Sequence, residues 1–225
     1  MMNNSHVRRA TNEDQKIARR QAILDGARQL FVEADYFDVS MAIIAKRSGL
    51  AKGTVYLYFK TKEEIFLSLS TEELENWLSA FETRLREQVR PLENTEFVDI
   101  LRDTFMGRHL MQRLVSLLHL VLEKNITYEE AFAFKLNLKT RMNRLSKLVE
   151  QVLPFLAEGQ GFSLLSMLHC LVVGSGQMSD PSPVLKQVLE HPEMEPFRVD
   201  LEKDIFDTFS FLLEGMKSVS ENQSC

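Results

Sequence analysis

Apolar positions recur along this chain at helical spacing. Ile23, Ala27, Leu30 and Phe31 fall at i, i+4, i+7 and i+8 and mark one face of a first helix. Leu74, Trp77, Leu78, Phe81 and Leu85 repeat the pattern in a long helix that begins near Lys62 and stops before Pro91. Leu138, Met142, Leu145, Val149 and Val152 carry it through another, ended by Pro154 or Gly159. A last stripe runs through Ile205, Phe206, Phe209, Leu212, Leu213 and Met216. No segment sustains the period-two alternation of a half-buried strand, so the pattern predicts an all-α fold. Turn-forming clusters at 90–94, 124–125, 159–161, 179–183 and 191–196 divide the later part of the chain. They predict helices near 94–106, 108–123, 128–156, 162–177 and 198–218, with a short one near 183–190.

Between the first helix and the long one lie two shorter elements. Asp38 or Ser40 can cap a helix over 41–47 with Ile44 and Ala45 inward. Gly49 can take the left-handed conformation that ends it, and Leu50 can fill the corner. A second short helix follows from Ala51 to Phe59, with Val55 and Phe59 inward and Lys52, Thr54 and Tyr56 outward. Two short helices joined by a tight glycine turn form the layout of a helix-turn-helix, whose second helix enters the major groove of DNA. Gly53 lets the backbone approach the duplex, and Lys and Tyr side chains can bond phosphate oxygens. Lys62 opens the next helix, where backbone N–H groups and its own charge both favour a phosphate. Tyr56 and Tyr58 lie two apart, so they cannot share one buried face.

Charge agrees with that division. The 225-residue chain carries a net charge of -5, yet up to Lys62 eleven basic side chains face six acidic ones. That part is therefore +5 and the remainder -10, a basic reader joined to an acidic body. Two cysteines, Cys170 and Cys225, form neither a disulfide framework nor a zinc spacing, which suits a reducing cytoplasm. Residues 1–21 are polar and charged, unlike a secretory signal, and the most apolar stretch, 163–176, is short for a membrane span. No catalytic constellation, metal set or cofactor fingerprint stands out. His109 and His119 lack a further ligand at metal spacing, and His169 and Cys170 are adjacent and diverge around a helix.

The segments Ile44-Ala45, Ser48-Gly49-Leu50, Lys52-Gly53-Thr54-Val55-Tyr56-Leu57-Tyr58-Phe59 and Thr61-Lys62-Glu63-Glu64-Ile65 resemble the DNA-binding signature of the TetR family of bacterial repressors. Ala27, Leu30-Phe31 and Tyr36 fit the family's first helix and the turn after it. The resemblance implies a three-helix helix-turn-helix domain over 1–61 and a helical effector-binding and dimerisation domain over 62–225. It places Ser40, Lys52, Gly53, Thr54, Tyr56, Tyr58 and Lys62 at positions that touch DNA. Three residues depart from the pattern. Asp35 stands where the family often has Gly and would keep the left-handed backbone. Ala42 lacks a base-reading side chain, and Ala51 lacks the usual Ser or Thr cap.

The expected function is a homodimeric, ligand-released repressor of a palindromic operator. A regulator without a small-molecule effector and an all-helical enzyme are its rivals. Trp77, Phe81, Phe105, His109, His119 and Phe132 are candidates for lining an effector pocket, although aromatics at helical spacing are more often plain core. Met106, Met111 and Met142 belong to the same inventory. Phe162, Leu165, Leu168, Leu171 and Val172, with the 205–216 stripe, offer apolar surfaces for packing inside the subunit. The family resemblance implies instead a four-helix bundle with a second copy. Arg8 and Arg9 could reach a minor groove or remain in a solvated tail.

Overall fold

A computed structural model describes the backbone of residues 4–223 and the side chains of residues 13–222. The side chains of Arg8 and Arg9, expected either in a minor groove or in a solvated tail, lie outside that range, as does Cys225. The described residues form ten α-helices and no strand. α1 (Asn4–Glu33) buries Ile23, Leu24, Ala27, Leu30 and Phe31, the face its periodicity marked. A 3-10 turn (Tyr36–Asp38) leads to α2 (Met41–Arg47) and α3 (Lys52–Tyr58). α4 (Lys62–Arg86) is the long helix expected to start at Lys62. α5 (Asn94–Phe105), α6 (His109–Leu118), α7 (Tyr128–Val152), α8 (Gln160–Ser179), α9 (Pro183–Glu190) and α10 (Leu201–Gln223) complete the chain.

Caps fix several of these boundaries. Ser40, not Asp38, caps α2 by accepting from the Ile43 N–H, and Thr61 does the same for α4 from Glu64. Thr127 and Glu130 form a reciprocal capping box at the start of α7. Helix α6 stops at Leu118, earlier than the expected 123, and residues 122–124 tighten into a 3-10 turn. Asp35 corrects its expectation. Its φ of -69° is extended, and its carboxylate caps the 3-10 turn by accepting from the Phe37 N–H at 2.9 Å. A short polar side chain can replace glycine there by capping, with no left-handed backbone.

Ile65, Phe66 and Leu69 of α4 join the same buried cluster as Phe31 and Tyr36, so the core runs unbroken from the first three helices into the body. α4 packs on α1, α5, α6 and α7, while α8 packs on α6, α7 and α10. Gly176 permits the α8–α6 approach, because a Cβ there would lie 2.1 Å from Oγ of Ser116.

α8 is long and apolar enough by length and composition to cross a membrane, against the expectation from 163–176. Its Leu164, Leu165, Leu168 and Val172 are instead buried among the other helices. The two apolar stripes also divide differently than expected. Leu165, Leu168, Val172, Ile205, Phe206, Phe209 and Leu213 are packed inside the subunit. The outward apolar side chains are Phe162, Met167 and Met178 on α8, Val184, Leu185 and Val188 on α9, and Phe211 and Val219 on α10.

Candidate functional site

The turn between α2 and α3 is a Schellman motif. Gly49 is left-handed at φ +68°, Gly49 N–H bonds Lys46 O at 3.3 Å, and Leu50 N–H bonds Ala45 O at 3.0 Å. Four residues, 48–51, separate α2 from α3, and Val55 and Phe59 anchor α3 to the core. The opposite face of α3 is open to solvent. Lys52, Gly53, Tyr56 and Leu57 are exposed, with Leu57 at 79%, while Thr54 and Tyr58 are half-buried. Lys52 Nζ sits 5.8 Å from the Tyr56 ring centre. Ser40 is exposed just before α2, although its hydroxyl is engaged as the α2 cap. Of the seven expected DNA contacts, Lys52, Gly53 and Tyr56 are exposed on α3 and Thr54 is half-buried there, whereas Tyr58 packs against the core beside Arg20 and Phe134. Ala51 leaves the N-terminus of α3 without a side-chain cap.

Lys62 is placed differently. Its ammonium turns back into the protein and donates to the carbonyls of Tyr36 at 3.0 Å and Val39 at 2.9 Å, lying 4.1 Å from the Tyr36 ring centre. Those carbonyls belong to the 3-10 turn and its end, which α2 does not satisfy. A half-buried cation is drawn to them ahead of a distant phosphate. Tyr36 in turn donates its hydroxyl to Glu63 at 2.8 Å, and burial together with that carboxylate raises its pKa. Lys46 and Lys60 are exposed near the reader; neither was among the expected contacts, because nothing in the spacing sets them apart.

The second feature is a cavity of about 520 Å3 between α4, α6, α7 and α8. Its walls are mainly apolar: Trp77 and Leu78 from α4, Met111 and Val115 from α6, Leu138 and Met142 from α7. Trp77, Phe105 and His119 from the expected set line it. Phe81 does not, being fully buried behind Trp77, whose ring stacks on it at 6.0 Å. His109 is exposed at the start of α6, and Phe132 is 55% exposed on α7 beside Tyr128. Helical phase pointed these three toward the body, but neighbouring helices decide which side of a helix faces a void. The buried Trp77 Nε1–H has no hydrogen-bond partner, a donor left unmet in the cavity wall.

One end of the cavity is polar, and the sequence did not single out Lys135 or His169 as its members. His119 Nε2 lies 2.8 Å from His169 Nε2, and His119 Nδ1 lies 3.0 Å from Glu123. Lys135 Nζ approaches Glu123 to 2.6 Å. Burial, with the nearby His119 and Lys135, pushes the His169 imidazole below its ordinary value. Burial would raise Glu123, but Lys135 and His119 outweigh it and hold that carboxyl below its ordinary value. Among the described residues no three His, Cys, Asp or Glu side chains converge as a metal-ligand set.

Two walls of the cavity, α4 and α6, are tied to the reader. α4 holds the turn before α2 through Lys62. From α6, the Arg113 guanidinium donates to the carbonyls of Phe31 at 2.6 Å and Ala34 at 3.4 Å, capping the end of α1.

A family model described as "Bacterial regulatory proteins, tetR family" matches residues 23–69, and one described as "Tetracyclin repressor-like, C-terminal domain" matches 71–219. A Bacillus subtilis fatty acid metabolism regulator protein is 34% identical over 84 residues, covering 37% of this chain and 43% of the relative. The Escherichia coli regulator UidR is 31% identical over 100 residues, 44% of this chain and 43% of the relative. These matches span less than half the length of either relative. Among solved structures, FadR from Bacillus halodurans superposes with a TM-score of 0.56 at 20% identity, covering 87% of this chain and 94% of that one. FadR from Bacillus subtilis in complex with stearoyl-CoA gives 0.53 at 18% identity, covering 86% and 96%. At such identities the structures show a shared fold.

Proposed function

This chain belongs to the TetR family of bacterial transcription regulators, and from that membership we propose that it is a homodimeric repressor released from a palindromic operator by a small-molecule effector. One observation carries the reading. The reader that carries an outward-facing recognition helix is held by α4 through Lys62 and by α6 through Arg113, and both helices also wall an apolar cavity.

In this reading α3 enters the major groove. Lys52, Tyr56 and Ser40 engage phosphates, while Thr54 and the exposed Leu57 meet base edges and thymine methyls. The outward apolar residues of α8, α9 and α10 join a second copy. Two recognition helices about 34–36 Å apart then read one symmetric site. The reader extends to residue 61 and the body from 62 onward. Duplex DNA as target puts the work of the protein in the cytoplasm.

The cavity lies within the usual range of about 300–1,000 Å3 for small-molecule sites. The fatty-acid regulators among the relatives and the stearoyl-CoA complex support an effector with a long acyl chain. An acceptor on that ligand would satisfy Trp77 Nε1. Filling the cavity displaces α6 and α4, and with them the Arg113 and Lys62 ties that set the pose of α1 and α2. Only a ligand that favours one pose can shift DNA affinity.

Selection of bound fragments from random DNA, followed by sequencing, tests the function. Sites with two-fold symmetry are expected, and their binding should weaken when a long-chain acyl ligand is added. Enrichment of no sequence, or of single asymmetric half-sites, would overturn the dimeric operator-binding reading.

A further inference from the structure

Glu123, in the 3-10 turn after α6, holds two side chains of the polar cavity end at once. Its Oε1 lies 2.6 Å from Lys135 Nζ and its Oε2 3.0 Å from His119 Nδ1. Lys135, His119 and His169 line the cavity, and Glu123 stands behind them. The carboxylate is thus the counter-ion of a basic rim. A ligand that brings its own anion to that rim competes with Glu123 for the same ammonium and imidazole.

The turn that carries Glu123 also touches the reader. Leu122 is fully buried and the turn packs along α4. The Asn125 carbonyl, two residues on, accepts from the Thr61 hydroxyl at 3.4 Å. Thr61 caps α4 and follows the end of α3 by three residues. Movement of Glu123 is therefore passed to the junction between the recognition helix and the body.

We infer that Glu123 is the specificity-determining residue of the effector site. An effector with an apolar body and an anionic head takes Lys135 and His119 from Glu123, and the freed turn loosens its hold on Thr61. The inference rests on the cavity being the effector site, and it adds the charge of the ligand and the residue that senses it. A neutral ligand of the same length fills the apolar space but leaves Glu123 in place.

The test uses the full-length protein with three probes: a long-chain fatty acid, its coenzyme A thioester and its methyl ester. The sole tryptophan, Trp77, lines the cavity, so its emission reports binding, and anisotropy of a selected operator reports release. The two anionic probes are expected to bind more tightly than the methyl ester and to release the operator. Their relative strength identifies a carboxylate or a phosphate as the better head group. Glu123→Gln should bind both anionic probes severalfold more tightly, leave the methyl ester unchanged, and hold the operator severalfold more weakly without ligand. Lys135→Met should lose the preference for anions. If Glu123→Gln matches the parent in both assays, or all three probes release the operator alike, the role of Glu123 falls while the effector site stands. If no probe alters Trp77 emission or operator binding, the effector site falls with it.

Discussion

Replacing Lys62 with methionine separates a structural role from a DNA contact. The methionine keeps most of the apolar stem and removes the ammonium. Lost with it are two bonds to the Tyr36 and Val39 carbonyls and the contact over the Tyr36 ring. A hydrogen bond to a charged group contributes about 1.5–3 kcal/mol when well protected. The ring contact adds about 0.5–1 kcal/mol at a solvent-accessible site. Lys62 is half-buried, so water partly replaces what is removed, and the net loss should be about 2 kcal/mol. For a chain of this size each kcal/mol shifts Tm by about 2–4 °C, giving a fall of about 4–8 °C in calorimetry. Operator binding supplies the second readout. A phosphate contact contributes about 0.9 to the slope of log affinity against log salt. Because Lys62 faces inward, Lys62→Met should leave that slope unchanged. An unaltered Tm together with a slope reduced by about 0.9 per subunit would refute the reasoning and make Lys62 a phosphate ligand.

Two further outcomes follow from local geometry. Ala51 has extended backbone at the start of α3 and no cap, so Ala51→Ser should raise stability by about 0.5–2 kcal/mol in urea denaturation; no shift of the midpoint would contradict it. Burial would raise the Glu82 carboxyl, but its bonds to Arg86 and Arg144 outweigh this and lower it. Because the folded value lies below the unfolded value of 4.5, the stabilisation is complete above that pH and fades as pH falls through the folded value. The Tm gap between the parent and Glu82→Gln should therefore be widest at neutral pH and close in acid, and a gap independent of pH would refute it.

Much of the fold was legible in the sequence because its signals are local. Gly49 flanked by two short apolar-anchored segments implied a tight turn, and the Schellman geometry formed there. Ser40, one of two candidate caps with Asp38, caps α2. The cavity was only half legible. Trp77, Phe105 and His119 line it, whereas Phe81, His109 and Phe132 share their residue types and helical phase yet lie elsewhere. Lys135 and His169 gave no signal at all, since their partners are 12 and 50 residues away in the chain.

The sequence by itself determined what backbone chemistry and periodicity decide within a few turns: the rough positions of ten helices, the glycine turn, and which side of α3 is anchored. Tertiary structure alone decided which cations face the solvent and which turn inward. Lys52 and Lys62 look alike along the chain, but Lys62 has the carbonyls of Tyr36 and Val39 within reach. A long side chain goes to the nearest unmet partner, and distance in space is set by helix packing, which no local pattern encodes.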